Sequence, residues 1–450
     1  MIHKYSMNGI FIVLDVNSGA VHIVDEIVYD VLDYYKSEPE DKIISILSEK
    51  YSEQDIKDAL SDIKELEDNK MLFSEDIYEA IVPNIVDKRE PVVKALCLHI
   101  AHDCNLKCKY CFAEEGEYHG KRELMSSEVG KKAIDMLIKA SGKRKNLEVD
   151  FFGGEPLMNF EVVKDIVEYA RSIEKEAGKN FRFTITTNGV LLNDDIIDYI
   201  NKNMHNVVLS IDGRKEVNDR MRPRAGGQGT YDTIVPKFQK VAESRNQTDY
   251  YVRGTFTRYN LDFAKDVLHM ADLGFKQISI EPVVTDPADD YSIREEDLPV
   301  IFKEYENLAN QIIQRRKDGK WFNFFHFMID LTGGPCVTKR LVGCGSGTEY
   351  LAVAPNGDLY PCHQFVGRED FKMGTVDTGV TNTAIRKAFE NCNVYSKPAC
   401  KNCWAKFYCS GGCVANSYNS HGDLISPYEV GCEMQKKRLE CAIMIKALEQ

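Results

Sequence analysis

Apolar runs alternate with amphipathic stretches between residues 90 and 316. Short runs rich in β-branched and aromatic residues predict six strands, and windows with apolar residues at helical spacing predict a helix after each strand. The strands are expected at 94–101, 147–152, 181–187, 206–211, 250–257 and 276–282. The helices are expected at 126–141, 160–178, 192–203, 230–245, 261–273 and 296–316. This strand–helix repetition predicts βαβ units and a parallel sheet.

Residues 1–82 follow a different pattern. Two apolar runs, 10–15 and 20–24, flank Asn17-Ser18-Gly19, which indicates a β-hairpin. Helical patterns follow at 26–36, 40–50 and 53–69, the last with Ser52 as its expected N-cap. We therefore expect a small N-terminal domain at 1–82, a main domain at 90–316, a bridging segment at 317–335 and a C-terminal domain at 336–450.

Composition narrows the class of protein. The 450 residues carry a net charge of −13, without a long cluster of Lys and Arg, which argues against a nucleic-acid partner. The N-terminus lacks the apolar segment of a signal peptide, and no apolar run approaches the ~18 residues of a membrane span. We expect a cytoplasmic protein without a membrane partner, so its 14 cysteines indicate metal or cluster ligation instead of disulfides.

Three cysteines follow the first predicted strand of the main domain. Cys104, Cys108 and Cys111 have the spacing C-x3-C-x2-C. Three thiolates from one loop can hold three irons of a [4Fe–4S] cluster and leave the fourth iron free for another ligand. The alternatives are a chance cluster and a structural zinc site, which needs a fourth ligand such as His99 or His102.

A second cysteine array occupies the C-terminal quarter, where ten of the fourteen cysteines lie beyond residue 335. Asn356-Gly357 predicts a hairpin that would bring Cys344 and Cys362 near one another. A C-x2-C-x5-C-x3-C run and one distant cysteine follow, and they comprise Cys400, Cys403, Cys409, Cys413 and Cys432. Seven cysteines in this order are too many for one zinc site.

Taken with the residues at the predicted strand ends, the first motif resembles the signature of radical S-adenosylmethionine (SAM) enzymes, to which Tyr110 before the last cysteine also belongs. The resemblance implies a partial (β/α)6 barrel whose Cys104/Cys108/Cys111 cluster binds SAM and acts in catalysis. The implied SAM-binding residues are Tyr110, Gly153, Gly154, Glu155, Asn188, Ser210, Asp212 and Arg222.

Within that set, Gly153-Gly154-Glu155 matches the GGEP motif that holds the SAM amino group. The two glycines would let the backbone approach a ligand closely. Arg222 is the expected partner of the SAM carboxylate, because Arg binds carboxylates in a bidentate manner. Arg220, Arg224 and Arg253 compete for that role, and Glu281 could contact the adenine.

The second array resembles the seven-cysteine SPASM domain, which carries two auxiliary [4Fe–4S] clusters. By that resemblance one cluster is held by Cys400, Cys403, Cys409 and Cys432, and the other by Cys344, Cys362 and Cys413. The fourth iron of the latter is either open to a substrate thiolate or bound by Cys336. Cys97 and Cys441 are expected to be buried core thiols, and Cys392 is unassigned.

Together the three parts resemble radical SAM/SPASM peptide maturases, in particular those that form thioethers in six-cysteine-in-forty-five (SCIFF) peptides. The N-terminal domain resembles a winged-helix element that binds leader peptides; the alternative is a small packing domain. The resemblance implies a cysteine-rich precursor peptide with a leader as substrate, three [4Fe–4S] clusters, SAM, and a flavodoxin- or ferredoxin-like electron donor.

Two other functions stay open at this point. One is oxidation of Cys or Ser to formylglycine, as in anaerobic sulfatase maturation. Enzymes of that kind carry an aspartate after the cysteine equivalent to Cys362, where this chain has His363. The other is a non-catalytic, peptide-binding electron-transfer protein, in which Glu155, Ser210 and Arg222 would have no purpose.

Overall fold

The computed structural model describes residues 1–82, 92–332 and 340–449. Its N-terminal part is a three-stranded antiparallel sheet of β1 (Ile2–Met7), β2 (Ile10–Asp15) and β3 (Val21–Val24), followed by α1 (Glu26–Val31), α2 (Glu40–Leu47) and α3 (Glu53–Asp68). The predicted hairpin and three helices are confirmed, whereas β1 was not predicted. Ser52 caps α3, because its side chain accepts a hydrogen bond from the Asp55 backbone N–H.

The main domain contains six parallel strands within one residue of the predicted bounds. They are β4 (Ala95–His102), β6 (Asn146–Gly153), β7 (Asn180–Thr187), β8 (Asn206–Ser210), β9 (Tyr250–Phe256) and β10 (Gln277–Pro282). A two-residue strand, β5 (Glu123–Leu124), pairs antiparallel with β4, and β11 (Asn323–Phe324) pairs parallel with β10. The structure is the expected α/β fold with a partial barrel sheet.

The helices of this domain pack against the sheet, and Phe151 and Phe183 of the strands share one continuous core with Phe238 of a helix. They are α4 (Ser127–Ala140), α5 (Phe160–Ile173), α6 (Asp194–Asn203), α7 (Lys215–Met221), α8 (Tyr231–Ser244), α9 (Phe263–Asp272) and α10 (Leu298–Lys317). The short α7 was not predicted. It lies in the segment between Ser210 and Arg222, where the sequence analysis named SAM-binding residues and no helix.

The C-terminal domain extends the barrel sheet instead of forming a separate layer. β12 (Tyr350–Val353) pairs parallel with β4, and β13 (Asp358–Tyr360), β14 (Gly374–Thr375) and β15 (Gly379–Val380) follow antiparallel. The predicted turn at Asn356-Gly357 is confirmed, with Gly357 at φ 89°. The remaining helices are α11 (Thr383–Glu390), α12 (Pro398–Lys401), α13 (Lys406–Cys409), α14 (Val414–His421) and α15 (Glu429–Ala447).

Helix α15 connects the three parts of the molecule. It packs against α10 of the barrel, and the Tyr5 hydroxyl of β1 donates to its Glu440 carbonyl at 2.9 Å. No helix in the described ranges is long and apolar enough to cross a membrane.

Candidate active site

The loop after β4 brings together the three cysteines of the first motif. Burial, with smaller contributions from the charge of Glu155 and from the other two thiols of the loop, raises the pKa of Cys104 to about 12. Burial raises the pKa of Cys108 to about 11. The Leu106 backbone N–H is directed at the Cys104 Sγ at 3.4 Å. Thiols this close and this buried become thiolates when a cation binds them, which fits an iron–sulfur cluster.

The Gly153-Gly154-Glu155 turn at the end of β6 supports this loop. The Gly154 N–H donates to the Ala101 carbonyl at 2.7 Å, and the Glu155 N–H donates to the Asp103 carbonyl at 2.9 Å. A Cβ on Gly154 would lie 2.1 Å from the Asp103 oxygen, and one on Gly153 would lie 2.4 Å from the Ala101 oxygen. The close approach that requires both glycines is therefore to the cysteine loop itself.

The Glu155 carboxylate is fully buried and already has three protein donors. It accepts from Thr187 Oγ1 at 2.7 Å, the Asn188 N–H at 2.8 Å and the Leu157 N–H at 3.0 Å. Burial raises its pKa, and these hydrogen bonds oppose the rise. A carboxylate offers about four acceptor positions, so one is left for a ligand ammonium. In this structure Glu155 joins the ends of β6 and β7.

A buried triad connects the cysteine loop to the end of β8. The Tyr110 hydroxyl donates to Asp212, 2.7 Å from its Oδ2, and accepts from Arg222 Nη1 at 2.9 Å. Burial raises the pKa of Asp212 to about 6, although Arg222 and Tyr110 act in the opposite direction. Arg222 is 8% exposed, and no described residue accepts a hydrogen bond from its Nε, which leaves a donor for a ligand carboxylate.

The segment that carries Arg222 is fixed against the same loop. Lys107 and Lys109 donate backbone hydrogen bonds to the carbonyls of Pro223 and Met221, at 2.8 and 2.9 Å. The competing Arg220 instead lies over the Tyr259 ring, and Arg224 donates to Thr233 Oγ1 at 3.0 Å. Arg222 is thus the arginine of this segment that faces Cys108, whose pKa its charge lowers.

Two other predicted residues lie at neighbouring strand ends. The Asn188 side-chain amide donates to Asn105 Oδ1 at 2.7 Å and lies 3.8 Å from the Cys104 Sγ. Ser210 is half-buried at the end of β8, beside Arg253 of β9. Arg253 is exposed towards the barrel interior, and its charge lowers the pKa of Glu281 and of His363.

The C-terminal thiols fall into the two predicted groups. Burial raises the pKa of Cys362, and the nearby Cys413 and Cys344 raise it further. In the same way burial raises the pKa of Cys432 to about 12, with contributions from Cys409, Cys400 and Cys403. Cys362 therefore lies near Cys344 and Cys413, and Cys432 lies near Cys400, Cys403 and Cys409, while their role as cluster ligands stays a prediction. The additional ligand considered for the first set, Cys336, lies outside the described residues.

A buried cation accompanies these two groups. Lys397 is 1% exposed, and its ammonium donates to the Gly411 carbonyl at 2.9 Å. No described carboxylate pairs with it, and its charge lowers the pKa of Cys400 and Cys413. A buried ammonium without a counter-ion is costly. An anionic cluster on these thiolates would supply the missing negative charge, so the residues present fit such a group.

The histidines considered as zinc ligands have other partners. His99 Nδ1 and His102 Nε2 are 3.0 Å apart, and both rings contact Tyr118. Burial lowers the pKa of His102 to about 4, so the pair is neutral at pH 7. Within the described residues no three His, Cys, Asp or Glu side chains converge on one metal-ion position.

The cysteines outside the three sets have different environments. Cys97 and Cys441 are buried in the apolar core, at 2% and 0% exposure, which confirms their prediction as core thiols. The previously unassigned Cys392 donates to the Ala388 carbonyl at 3.1 Å.

The barrel interior contains a cluster of polar side chains, of which the sequence analysis identified only Glu281. Arg438 of α15 contacts Glu281 Oε2 at 3.3 Å and His326 Nδ1 at 3.2 Å, and His326 Nε2 lies 3.0 Å from Ser279 Oγ. Burial raises the pKa of Glu281, but His326 and Arg438 reverse this and hold it below its usual value. No sequence signal marks Arg438 or His326, because each reaches the barrel from a distant segment.

His363 lies between the first and second thiol groups. Its ring centroid is 5.5 Å from that of Phe112, which follows Cys111, and 5.2 Å from that of Phe152. Because His363 itself follows Cys362, the loops of these two groups border the same space in the barrel.

Comparison with known protein families agrees with this division. The profile described as the radical SAM superfamily matches residues 98–252. The profile of SPASM, an iron–sulfur cluster-binding domain, matches residues 344–404.

Curated relatives cover different shares of the chain. The radical SAM cyclopropyl synthase TigE of Paramaledivibacter caminithermalis is 23% identical over 76% of this chain and 72% of its own length. A cysteine-type anaerobic sulfatase-maturating enzyme of Clostridium novyi is 24% identical over 70% of this chain and 86% of its own. An uncharacterized protein of Methanocaldococcus jannaschii is 31% identical over 42% of this chain, and the match spans 62% of that protein.

Solved structures share the fold at low sequence identity. AnSMEcpe with bound AdoMet has a TM-score of 0.65 at 20% identity, covering 79% of this chain and 97% of its own. Streptococcus suis SuiB bound to S-adenosylmethionine has a TM-score of 0.54 at 16% identity, covering 95% of this chain and 98% of its own. SuiB has also been solved with its precursor peptide SuiA.

Proposed function

We propose that this chain, which contains a radical SAM domain and a SPASM domain, is a peptide maturase. It forms intramolecular thioether crosslinks between a cysteine sulfur and a carbon of an acceptor residue in a ribosomally made, cysteine-rich peptide. The observation that carries the proposal is the grouping of ten cysteines into sets of three, three and four, with the first two sets bordering one barrel interior. The enzyme is expected to hold three [4Fe–4S] clusters.

In this proposal the Cys104 group holds the cluster that binds SAM. Arg222 donates from its free Nε to the SAM carboxylate, and Tyr110 and Asp212 fix the orientation of the guanidinium. Glu155 offers its remaining acceptor position to the SAM amino group, while Ser210 and Asn188 lie within the same rim of strand ends. A cluster and SAM held by these residues would supply the radical chemistry that removes a hydrogen from the acceptor residue.

The Cys344, Cys362 and Cys413 group holds the donor cysteine of the peptide through its cluster. Its proximity to the Cys104 group supports this role, because Phe112 and His363 contact each other across the space where both partners must meet. Holding the donor sulfur as a thiolate beside the acceptor carbon removes most of the entropic cost of the reaction. The Cys400 group holds the third cluster, and an external flavodoxin- or ferredoxin-like protein supplies the electrons.

The N-terminal domain binds the leader of the peptide. β3 pairs with β2 on one side, and no described strand pairs with its other edge. Ile23 on this strand is 52% exposed. An extended leader could add as a fourth strand at this edge, with its apolar side chains on Ile23. SuiB, whose structure with a precursor peptide is known, covers 95% of this chain and so spans this domain.

Oxidation of a cysteine or serine to formylglycine is the second candidate. The TM-score of 0.65 with anSMEcpe and the C. novyi relative support it. These matches leave a fifth or more of this chain uncovered, and His363 occupies the position where we expect such enzymes to have an aspartate. Both points favour the crosslinking peptide maturase.

The test is incubation of the anaerobically reconstituted protein with SAM, a reductant and the cysteine-rich peptide encoded nearest its gene. Thioether formation removes two hydrogens per crosslink and protects one cysteine from alkylation, whereas formylglycine formation gives an aldehyde. We expect Cys104→Ala to abolish deoxyadenosine release, and Cys344→Ala to keep release but lose crosslinking. Normal crosslinking by Cys344→Ala would refute the role of the second group. Absence of deoxyadenosine release with the clusters intact would refute the enzyme altogether.

A further inference from the structure

An ion pair between a buried lysine and a half-buried aspartate, whose side chain is 24% exposed, connects the N-terminal domain to the loop that carries Cys400, Cys403 and Cys409. Lys406 lies within this loop, its side chain is 2% exposed, and its Nζ is 2.5 Å from Asp76 Oδ2. Asp76 Oδ1 accepts from the Tyr395 hydroxyl at 2.8 Å and from the Tyr78 N–H at 3.1 Å. The carboxylate is therefore held by three donors, two of which belong to the C-terminal domain.

Apolar contacts surround this ion pair. The Tyr78 ring packs edge-on against Phe407 at 5.4 Å, and Val16 and Val82 are buried in the same cluster as Cys400 and Phe407. The Trp404 ring, next to Cys403, stacks on His3 of β1 at 3.8 Å. The N-terminal domain thus covers the cysteine loop with a half-buried charge and several side chains.

The two buried lysines beside the cysteines differ in their partners. The Lys397 ammonium donates to a backbone carbonyl and pairs with no described carboxylate. Its positive charge is therefore available to pair with an anionic cluster. Lys406 has its own counter-ion in Asp76, which is remote in sequence. Removing one partner of a buried ion pair leaves an uncompensated charge that must return to water. In this loop, moving Lys406 to water would displace Cys403 and Cys409, which lie three residues on either side of it.

We propose that Asp76 is a positioning residue for the iron–sulfur cluster on Cys400, Cys403, Cys409 and Cys432, and that the N-terminal domain completes this cluster site. The inference rests on the proposed cluster assignment. Asp76 neutralises Lys406 and thereby holds the cysteine loop in the conformation that binds iron. The peptide-binding domain and the third cluster then form one structural unit.

The experiment uses the full chain with Cys104, Cys108 and Cys111 replaced by Ala, so that only auxiliary iron is counted. Asp76→Asn is introduced into this parent. Glu79→Gln is the matched control, because Glu79 pairs with Lys401 of the same loop at 2.6 Å but at the surface. The third variant combines Asp76→Asn with Lys406→Met, which removes both charges. Iron per chain and the rate of iron release to a chelator are measured after anaerobic reconstitution.

The parent and Glu79→Gln should hold about eight irons. We expect Asp76→Asn to hold about four, or to release half of its iron about tenfold faster, and the double variant to recover most of the loss. In the chain with all cysteines, Asp76→Asn should still release deoxyadenosine within about twofold of wild type, showing that the barrel is folded.

Two results would overturn the inference, and a third would overturn its basis. Asp76→Asn that retains iron like Glu79→Gln would show that the ion pair does not position the loop. A double variant as defective as Asp76→Asn would show that charge compensation is not the cause. A parent that binds no auxiliary iron would instead refute the cluster assignment and with it the proposed function.

Discussion

Replacement of Gly154 by Ala tests whether the GGEP turn acts through the cysteine loop. The new Cβ would lie 2.1 Å from the Asp103 oxygen and 2.6 Å from its carbonyl carbon. Both atoms belong to the backbone, so relief requires that the turn and the loop separate by about 1 Å. Gly154 does not have a positive φ, so the substitution adds steric overlap without backbone strain.

The expected loss of activity in Gly154→Ala can be estimated from the contacts that such a movement breaks. The hydrogen bonds from Gly154 to Ala101 and from Glu155 to Asp103 are 2.7 and 2.9 Å long and would exceed hydrogen-bond distance. Their loss costs about 2 kcal/mol. A 1 Å displacement of reacting groups can lower a rate by about 100-fold. We therefore expect Gly154→Ala to lose most of the Cys104-group iron and to release deoxyadenosine about 100-fold more slowly.

The assay is deoxyadenosine release with saturating SAM and reductant, together with iron per chain. Gly120→Ala is the control, because it lies in the segment after the same loop, has no positive φ, and its new Cβ would have its nearest neighbour at 3.4 Å. Deoxyadenosine release by Gly154→Ala within about twofold of Gly120→Ala would refute the reasoning.

Three further substitutions test other parts of the structure. Arg222→Gln should raise the SAM dissociation constant about tenfold or more in calorimetry, because it removes a charged hydrogen bond. Arg220→Gln should leave the constant unchanged, and equal effects of the two substitutions would argue against Arg222. Ile23→Asp should weaken binding of the leader peptide about tenfold in fluorescence anisotropy, whereas Ile46→Asp, at another exposed site of the same domain, should not. Unchanged affinity in Ile23→Asp would argue against leader binding at the β3 edge. Burial alone would raise the pKa of Asp219, but the backbone N–H groups of Tyr231 and Thr230 donate to its carboxylate and hold its pKa below the usual value. The ionised carboxylate therefore stabilises the folded protein fully above a pH of about 3.9. This contribution is lost as the pH falls through the lower pKa of the folded state. Asp219→Asn should therefore lower thermal stability by about 1 kcal/mol at pH 7 and by progressively less below pH of about 4, and a gap that stays constant with pH would contradict this.

Local sequence patterns were sufficient to predict the barrel strands, and the assignment of the cysteines to groups, also made from local spacing, stays a prediction. The strands are short apolar runs bounded by turn residues, and Cys104, Cys108 and Cys111 lie on one loop, so neighbouring residues determine both. The role of Glu155 shows the limit of this reasoning. Its motif predicts a ligand contact, whereas its three donors become visible only when the ends of β6 and β7 are adjacent.

Long-range pairings could not be predicted in this way. β12 pairs with β4 across more than two hundred residues, and it places the C-terminal domain on the barrel sheet. The Asp76–Lys406 ion pair and the Arg438–Glu281 contact join residues that are 330 and 157 positions apart. An isolated Asp or Arg carries no periodic or spacing signal, because its significance depends on a partner that only the fold brings near.

Helix α15 shows why single substitutions test this protein better than deletions. Within nine residues it presents Cys432 to the Cys400 group, Arg438 to Glu281 in the barrel, and Glu440 to His3 and Tyr5 of β1. Deletion of residues 1–82 would remove Asp76 and expose both this helix and the cysteine loop. A truncated protein that failed to modify peptide would then have lost either leader binding or a cluster. Ile23→Asp and Asp76→Asn separate these causes, because the first alters an exposed strand edge and the second a half-buried charge beside the cysteines.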